Sequence, residues 1–245
     1  MEENNNLKKI QEAIDSLPDN FSILEEQIDV DLQMEYFEYT KEKRNNQKIE
    51  DFSAVEQQLN DRKKPVEEKK QLLVQLAGHD QVEAFRIIER FHKKTKAKKL
   101  RKWAVLALQE SRMILQSSLL GEQQVFISTG LGGKGQNIRY FIALMKRDRL
   151  NAFTETQIRI IETEFRFFLN KSDGELEQIR FEGEFALGSF LFPLKKNLQS
   201  IFRSFIDECN QYGDFLHEDV IITNVKTLSV DEVRKFLKQN SDDAE

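Results

Sequence analysis

An internal disulfide is closed to this chain, because Cys209 is its one cysteine among 245 residues. A lone thiol suits a reducing compartment, so a cytoplasmic protein is expected. No apolar run approaches the roughly 18–20 residues that span a bilayer. The acidic, polar opening Met1-Glu2-Glu3-Asn4 is also unlike a secretory or mitochondrial leader, and no membrane association is expected. His79, His92 and His217 are scattered without metal-ligand spacing, so the sequence implies no metal and no cofactor. Trp103 is the one tryptophan, against 19 phenylalanines. The core must therefore lean on Phe, which buries a large area without a polar atom to satisfy.

What is abundant is charge, and it is segregated. Residues 1–60 carry six basic and fifteen acidic side chains, whereas residues 61–103 carry fourteen basic and six acidic ones. The net −5 of the whole chain hides this division. Blocks of this kind describe surfaces and partners rather than fold.

Helical periodicity runs through the first half. Leu7, Ile10, Ile14 and Leu17 share one face, and Pro18 stops the run. Ser22-Ile23-Leu24-Glu25 reads as a capping box opening a second helix toward Asn45-Asn46. Residues 45–64 are polar and poorly periodic and read as a loop or frayed helix. Pro65 then suits a first helical turn, with Leu72, Leu73 and Leu76 as its apolar side and Gly78 at its end. Two further helices follow. The first has a face of Val82, Phe85, Ile88 and Phe91. The second carries a broad stripe from Leu100, Trp103 and Ala104 through Ala107 and Leu108 to Ile114, Leu115 and Leu119, closed by Gly121.

Residues 65–120 resemble a HEAT-type helical repeat, through Leu73, Leu76, Asp80, Glu83-Ala84-Phe85, Leu100-Arg101-Lys102-Trp103-Ala104 and Ala107-Leu108. The resemblance covers under a quarter of the chain and a single copy. It implies a scaffold that binds protein partners.

The period changes after Glu122. Val125 to Thr129 is a short β-branched and aromatic run, followed by a glycine-rich turn. Ile138 to Met145 alternates as a second strand. Thr154-Glu155-Thr156-Gln157 is a capping box before a helix whose face is Ile158, Ile161, Phe165, Phe168 and Leu169. Ile179, Phe181, Gly183, Phe185 and Leu187 alternate with polar residues and read as one strand with a solvated face. Pro193 reads as the start of a helix through Cys209, Val220 to Val225 as a last strand, and Ser229 to Glu232 as the cap of a final helix. The fold class expected is α+β: an all-α domain of HEAT-like helix pairs over 1–121, then a small ferredoxin-like α/β sandwich over 122–245. Its sheet is mixed or antiparallel, with two helices on one face.

Two clusters stand out as candidate sites. Lys93, Lys94, Lys96, Lys98, Lys99, Arg101 and Lys102 form the densest basic block, of the kind that neutralises phosphates or matches the acidic N-terminal sixty residues. No exposed aromatics interleave it, which weakens a single-strand platform. The loop Gly130, Gly132, Gly133, Lys134, Gly135, with Arg139 beyond it, can offer amides and charge to an anion. Its Gly133-Lys134-Gly135 lacks the Ser/Thr and the following helix that a Walker loop requires.

No catalytic residue is assigned. Cys209 shares a register with Phe202, Phe205 and Ile206, so a group with Asn210 and His217 lacks an activated thiol. Glu182 and Glu184 read as one solvated strand face beside Arg180. The expected function is a non-enzymatic cytoplasmic adaptor that binds a protein partner through residues 86–102. A nucleic-acid or ribosome-associated factor using the same block is the alternative. A small enzyme or anion binder at the 130–139 loop and the free sheet face is the third.

Overall fold

The computed structural model describes residues 14, 16–18, 21–44 and 49–242. Leu7 and Ile10 lie outside the described residues. The chain divides into two compact units, Pro18–Ile127 and Ser128–Glu245, the latter also taking in Leu17. Contacts thus change allegiance after Ile127, six residues beyond the helix end at Gly121 where the sequence suggests the boundary.

The first unit is helical. Strand β1 (Ser22–Ile23) precedes helices α1 (Val30–Lys43), α2 (Phe52–Asn60), α3 (Val66–Ala77), α4 (Val82–Lys94) and α5 (Lys98–Leu120), and strand β2 (Phe126–Ile127) closes it. The Ser22 capping box does not form. Ser22 and Ile23 instead pair in parallel with Phe126 and Ile127, and the helix waits for Asp29, whose carboxylate accepts from the Asp31 amide. Val125 to Thr129 therefore does not open the main sheet. Of the two readings of 45–64, helix holds for Phe52–Asn60: Asp51 caps α2, and Leu59 is fully buried.

Trp103 is the centre of this core. The edges of Tyr36 and Tyr39 meet its ring at 5.1 and 5.3 Å, and the Lys70 ammonium stands 4.5 Å over the ring centroid. Lys70 is held there by Glu35 at 2.8 Å and Glu67 at 3.0 Å. A buried amine so paired keeps its charge, which adds a cation–π contact to the apolar packing.

The second unit carries β3 (Gly133–Lys134), β4 (Asn137–Met145), α6 (Glu155–Lys171), β5 (Glu175–Glu182), β6 (Phe185–Pro193), α7 (Leu198–Asn210), β7 (Ile221–Thr223) and α8 (Val230–Asp242). From β4 to β7 the order is βαββαβ. The strands lie β7-β4-β6-β5, every pair antiparallel, with short β3 added beside β4. This is the ferredoxin-like arrangement. Helices α6 and α7 cover one face by packing Phe165, Phe202 and Phe205 on Phe190 of β6, with neighbouring ring centroids between 5.1 and 6.2 Å apart. The opposite face is not free. Val233 of α8 is buried there against Phe141, Phe185 and Leu187, with Leu228 and Leu237 around it.

The alternating run Ile179 to Leu187 is not one strand but a hairpin. Gly183 takes φ +60°, and Glu182 pairs with Phe185. Cross-strand partners share a face, so the turn inverts the sides. Ile179 and Phe181 pack toward α6 and α7, whereas Phe185 and Leu187 pack toward α8. The two-residue period continues through the turn in sequence while the faces exchange in space. Pro193 ends β6 rather than opening a helix, and Asn197 provides the cap of α7 by accepting from the Ser200 amide at 3.0 Å.

Candidate functional site

The basic block is a corner. Thr95, Lys96 and Ala97 join the C-terminus of α4 to the N-terminus of α5. Lys93 and Lys94 stand at the negative end of α4, where a cation is favoured. At α5 the situation reverses. Lys98, Lys99, Arg101 and Lys102 crowd the positive end of a helix whose N-cap is Ala97, which offers no side-chain acceptor, and whose first turn has no acidic residue. Each such charge costs about 0.3–1 kcal/mol at low ionic strength. A local arrangement that physics disfavours is a marker of function rather than of folding.

Part of the positive charge is neutralised from the acidic side of the same unit. Arg90 makes a two-pronged bond to Glu56 at 2.8 and 2.7 Å, Lys99 lies 3.6 Å from Glu35, and Lys93 bonds Glu89 at 2.9 Å. His92 lies 3.6 Å from Glu26. Burial, helped by Arg101 and Lys93, nevertheless holds its imidazole below the usual range against the pull of Glu26, so it is neutral at pH 7. Lys94, Lys96, Lys98, Arg101 and Lys102 form no ion pair among the described residues, and all but the half-buried Lys102 are exposed. The acidic partners Glu35 and Glu56 had no signature in the sequence beyond net charge, since their pairing depends on helix packing.

The glycine loop is turned inward. Gly130, Gly132 and Gly133 are buried, whereas Lys134, Gly135 and Gln136 form the exposed tip of the β3–β4 hairpin. The Leu131 amide donates to the Asn224 carbonyl at 3.0 Å and that of Gly132 to Thr129 at 3.3 Å. Arg139 donates to both carboxylate oxygens of Glu177, at 2.6 and 2.8 Å, and to the Leu131 carbonyl at 3.0 Å. That guanidinium keeps the Glu177 carboxyl below its usual range. Lys134 lies 3.7 Å from Glu175. The Leu131 and Gly132 amides and the Arg139 and Lys134 side chains are thus directed at protein groups.

Cys209 is fully buried, and its thiol is pushed up to about 12 by burial, with Glu164 and Glu208 adding to the effect. Asn210 does not serve it. Its amide clamps the Leu216 backbone, donating at 3.0 Å and accepting at 2.8 Å. His217 Nδ1 accepts from the Asp219 amide at 3.1 Å. Native protein at pH 8 should accordingly resist iodoacetamide, while protein in urea alkylates at one site. Rapid native labelling, read by intact mass, would contradict this placement.

Glu182 and Glu184 are likewise engaged, with Arg180 at 2.6 Å and Arg234 at 3.0 Å. No group of three His, Cys, Asp or Glu suited to a metal occurs among the described residues, and no helix among them is long and apolar enough to cross a membrane. Comparison with protein-family models and with curated proteins finds no match to this chain.

Proposed function

We propose that this chain is a non-enzymatic cytoplasmic interaction protein that docks an acidic segment of a protein partner on the α4–α5 corner. The observation that carries the reading is the set of Lys94, Lys96, Lys98, Arg101 and Lys102, which forms no ion pair among the described residues and of which the last three stand at an uncapped helix N-terminus. An acidic partner relieves the repulsion among these cations and the opposing helix dipole at once. The HEAT-type resemblance of residues 65–120 supports a protein-binding scaffold, and the buried, unpaired Cys209 suits a reducing compartment. A second reading, an RNA-associated factor, draws on the bare amides at the start of α5, which suit a phosphate. The buried state of Trp103 leaves this corner without an indole for base stacking.

The test is affinity capture from native lysate with and without nuclease, using the wild-type chain and the triple variant K96E/K98E/R101E. Nuclease-resistant capture of an acidic protein, lost in the variant, supports the proposal. Nuclease-sensitive capture transfers the corner to RNA, and capture indifferent to the variant removes the corner from function.

Ala97→Asp gives a sharper check. An aspartate at the N-cap supplies the missing acceptor and should stabilise the helical unit by about 1 kcal/mol, while its charge weakens partner binding. Chemical denaturation and the capture assay should move in opposite directions. A variant that loses both stability and binding would refute the idea that charge here is held against folding.

A further inference from the structure

The two edges of the main sheet are built differently. Edge β5 carries Glu175, Glu177, Arg180 and Glu182 and is broken by a bulge between Leu176 and Gln178. Charges and bulges are how proteins keep an edge from recruiting another strand. Edge β7 has neither. From Val220 to Val225 the chain reads Val-Ile-Ile-Thr-Asn-Val, without a charge or a proline. No strand pairs with its outer side among the described residues.

Ladder alternation fixes which groups face outward. Lys146 N–H donates to Glu184 on the β6 side of β4, while the Met145 carbonyl accepts from His217 on the β7 side. Backbone groups alternate along a strand, so Phe141 and Ala143 point toward β7. Their partners Thr223 and Ile221 point back, which leaves the N–H and C=O of Ile222 facing outward.

Beside this edge runs a groove of about 710 Å³ between β7 and α7. Leu198, Phe202, Ile206, Val220 and Ile222 give it an apolar lining. Its charged members are Asp207, Glu218 and Asp219 against a single Arg203. Glu218 is engaged by Arg147 at 3.1 Å, whereas Asp207 forms no ion pair among the described residues.

We propose that this groove binds an extended peptide that adds to β7 as a further strand. Alternate apolar side chains of the peptide enter against Phe202 and Ile206, and flanking Lys or Arg residues meet Asp207 and Asp219. Main-chain bonds to an edge give affinity and the side-chain pockets give specificity, as in other strand-addition sites. The site lies in the α/β unit and stands independently of the α4–α5 corner.

The test is a selection of random dodecapeptides displayed on phage against the full chain. The most enriched peptide is then synthesised with fluorescein for anisotropy and mapped by amide chemical shifts. Expected are alternating apolar residues with basic flanks, and shifts centred on Val220–Thr223 and α7. Ile222→Pro deletes an outward N–H without removing a bond to β4, and should weaken binding about tenfold, the equivalent of one hydrogen bond with its contacts. Asp207→Lys with Asp219→Lys alters exposed carboxylates only and should weaken it by a similar factor even if the proline variant folds poorly. The proposal is overturned if no peptide is enriched, if shifts map elsewhere, or if neither variant changes affinity. It is equally overturned if the chain sediments as a dimer that Ile222→Pro dissociates, since a second copy would then hold the edge.

Discussion

Alanine in place of Glu110 is expected to destabilise the helical unit by about 3 kcal/mol. Its carboxylate accepts from the Tyr36 hydroxyl at 2.6 Å and from Arg44 at 2.7 Å, tying the middle and the C-cap of α1 to α5. Tyr36 is essentially buried, and burial followed by the adjacent negative charge drives its phenol well above the ordinary range. Burial also works against the Arg44 cation, but the bond to Glu110 outweighs it and the balance is upward. Truncation leaves a phenol and a guanidinium with a vanished partner.

Side-chain exposures of 19% for Glu110 and 23% for Arg44 let water recover part of the loss. The expected loss therefore falls at the lower end of the roughly 3–5 kcal/mol seen for fully buried pairs. Urea denaturation followed by circular dichroism checks it, with Tyr36→Phe completing a double-mutant cycle. Coupling near zero would mean that the network contributes geometry and no stability.

Gly130→Ala should be comparably severe, at about 3 kcal/mol or more, because it forces overpacking against main chain. A Cβ on Gly130 would lie 1.8 Å from the Val225 carbonyl oxygen and 2.6 Å from its carbon. Either the 128–132 segment or the chain leaving β7 must shift, and the Leu131–Asn224 bond resists both. Gly135→Ala is the matched control. Nothing lies within 4 Å of the position, and only its φ of +61° opposes a side chain, for about 1 kcal/mol. Calorimetry of the two variants should rank them in that order. Equal effects would show that the close approach relaxes freely.

These glycines illustrate what the sequence makes legible. A run so rich in glycine announces special backbone, and Gly132 and Gly135 do take positive φ. The reason for Gly130 lies in Val225, far along the chain, and no local pattern encodes it. Caps show the same division. Thr154 with Gln157 and Ser229 with Glu232 form reciprocal boxes as their spacing suggests, because every partner lies within three residues. Ser22 with Glu25 has the same spacing, yet the strand pairing to Phe126 prevails there. The β5–β6 turn escaped because its two-residue loop preserves sequence parity while reversing the buried side. Lysines 93–102 were legible as a block. The Lys93–Glu89 pair follows from i,i+4 spacing, whereas the neutralisation of Lys99 depends on where Glu35 comes to rest in the packed helices.

The single indole and the single thiol fall in different units, Trp103 in the helical one and Cys209 in the α/β one, and both are sealed from solvent. The molecule thus contains two orthogonal native reporters. Excitation at the red edge of the indole band follows opening of one unit, and thiol-trapping kinetics follow opening of the other, with no engineered label in either. Superimposable denaturation curves would mean that the units melt as a single cooperative block; separated ones would assign each transition to its unit directly.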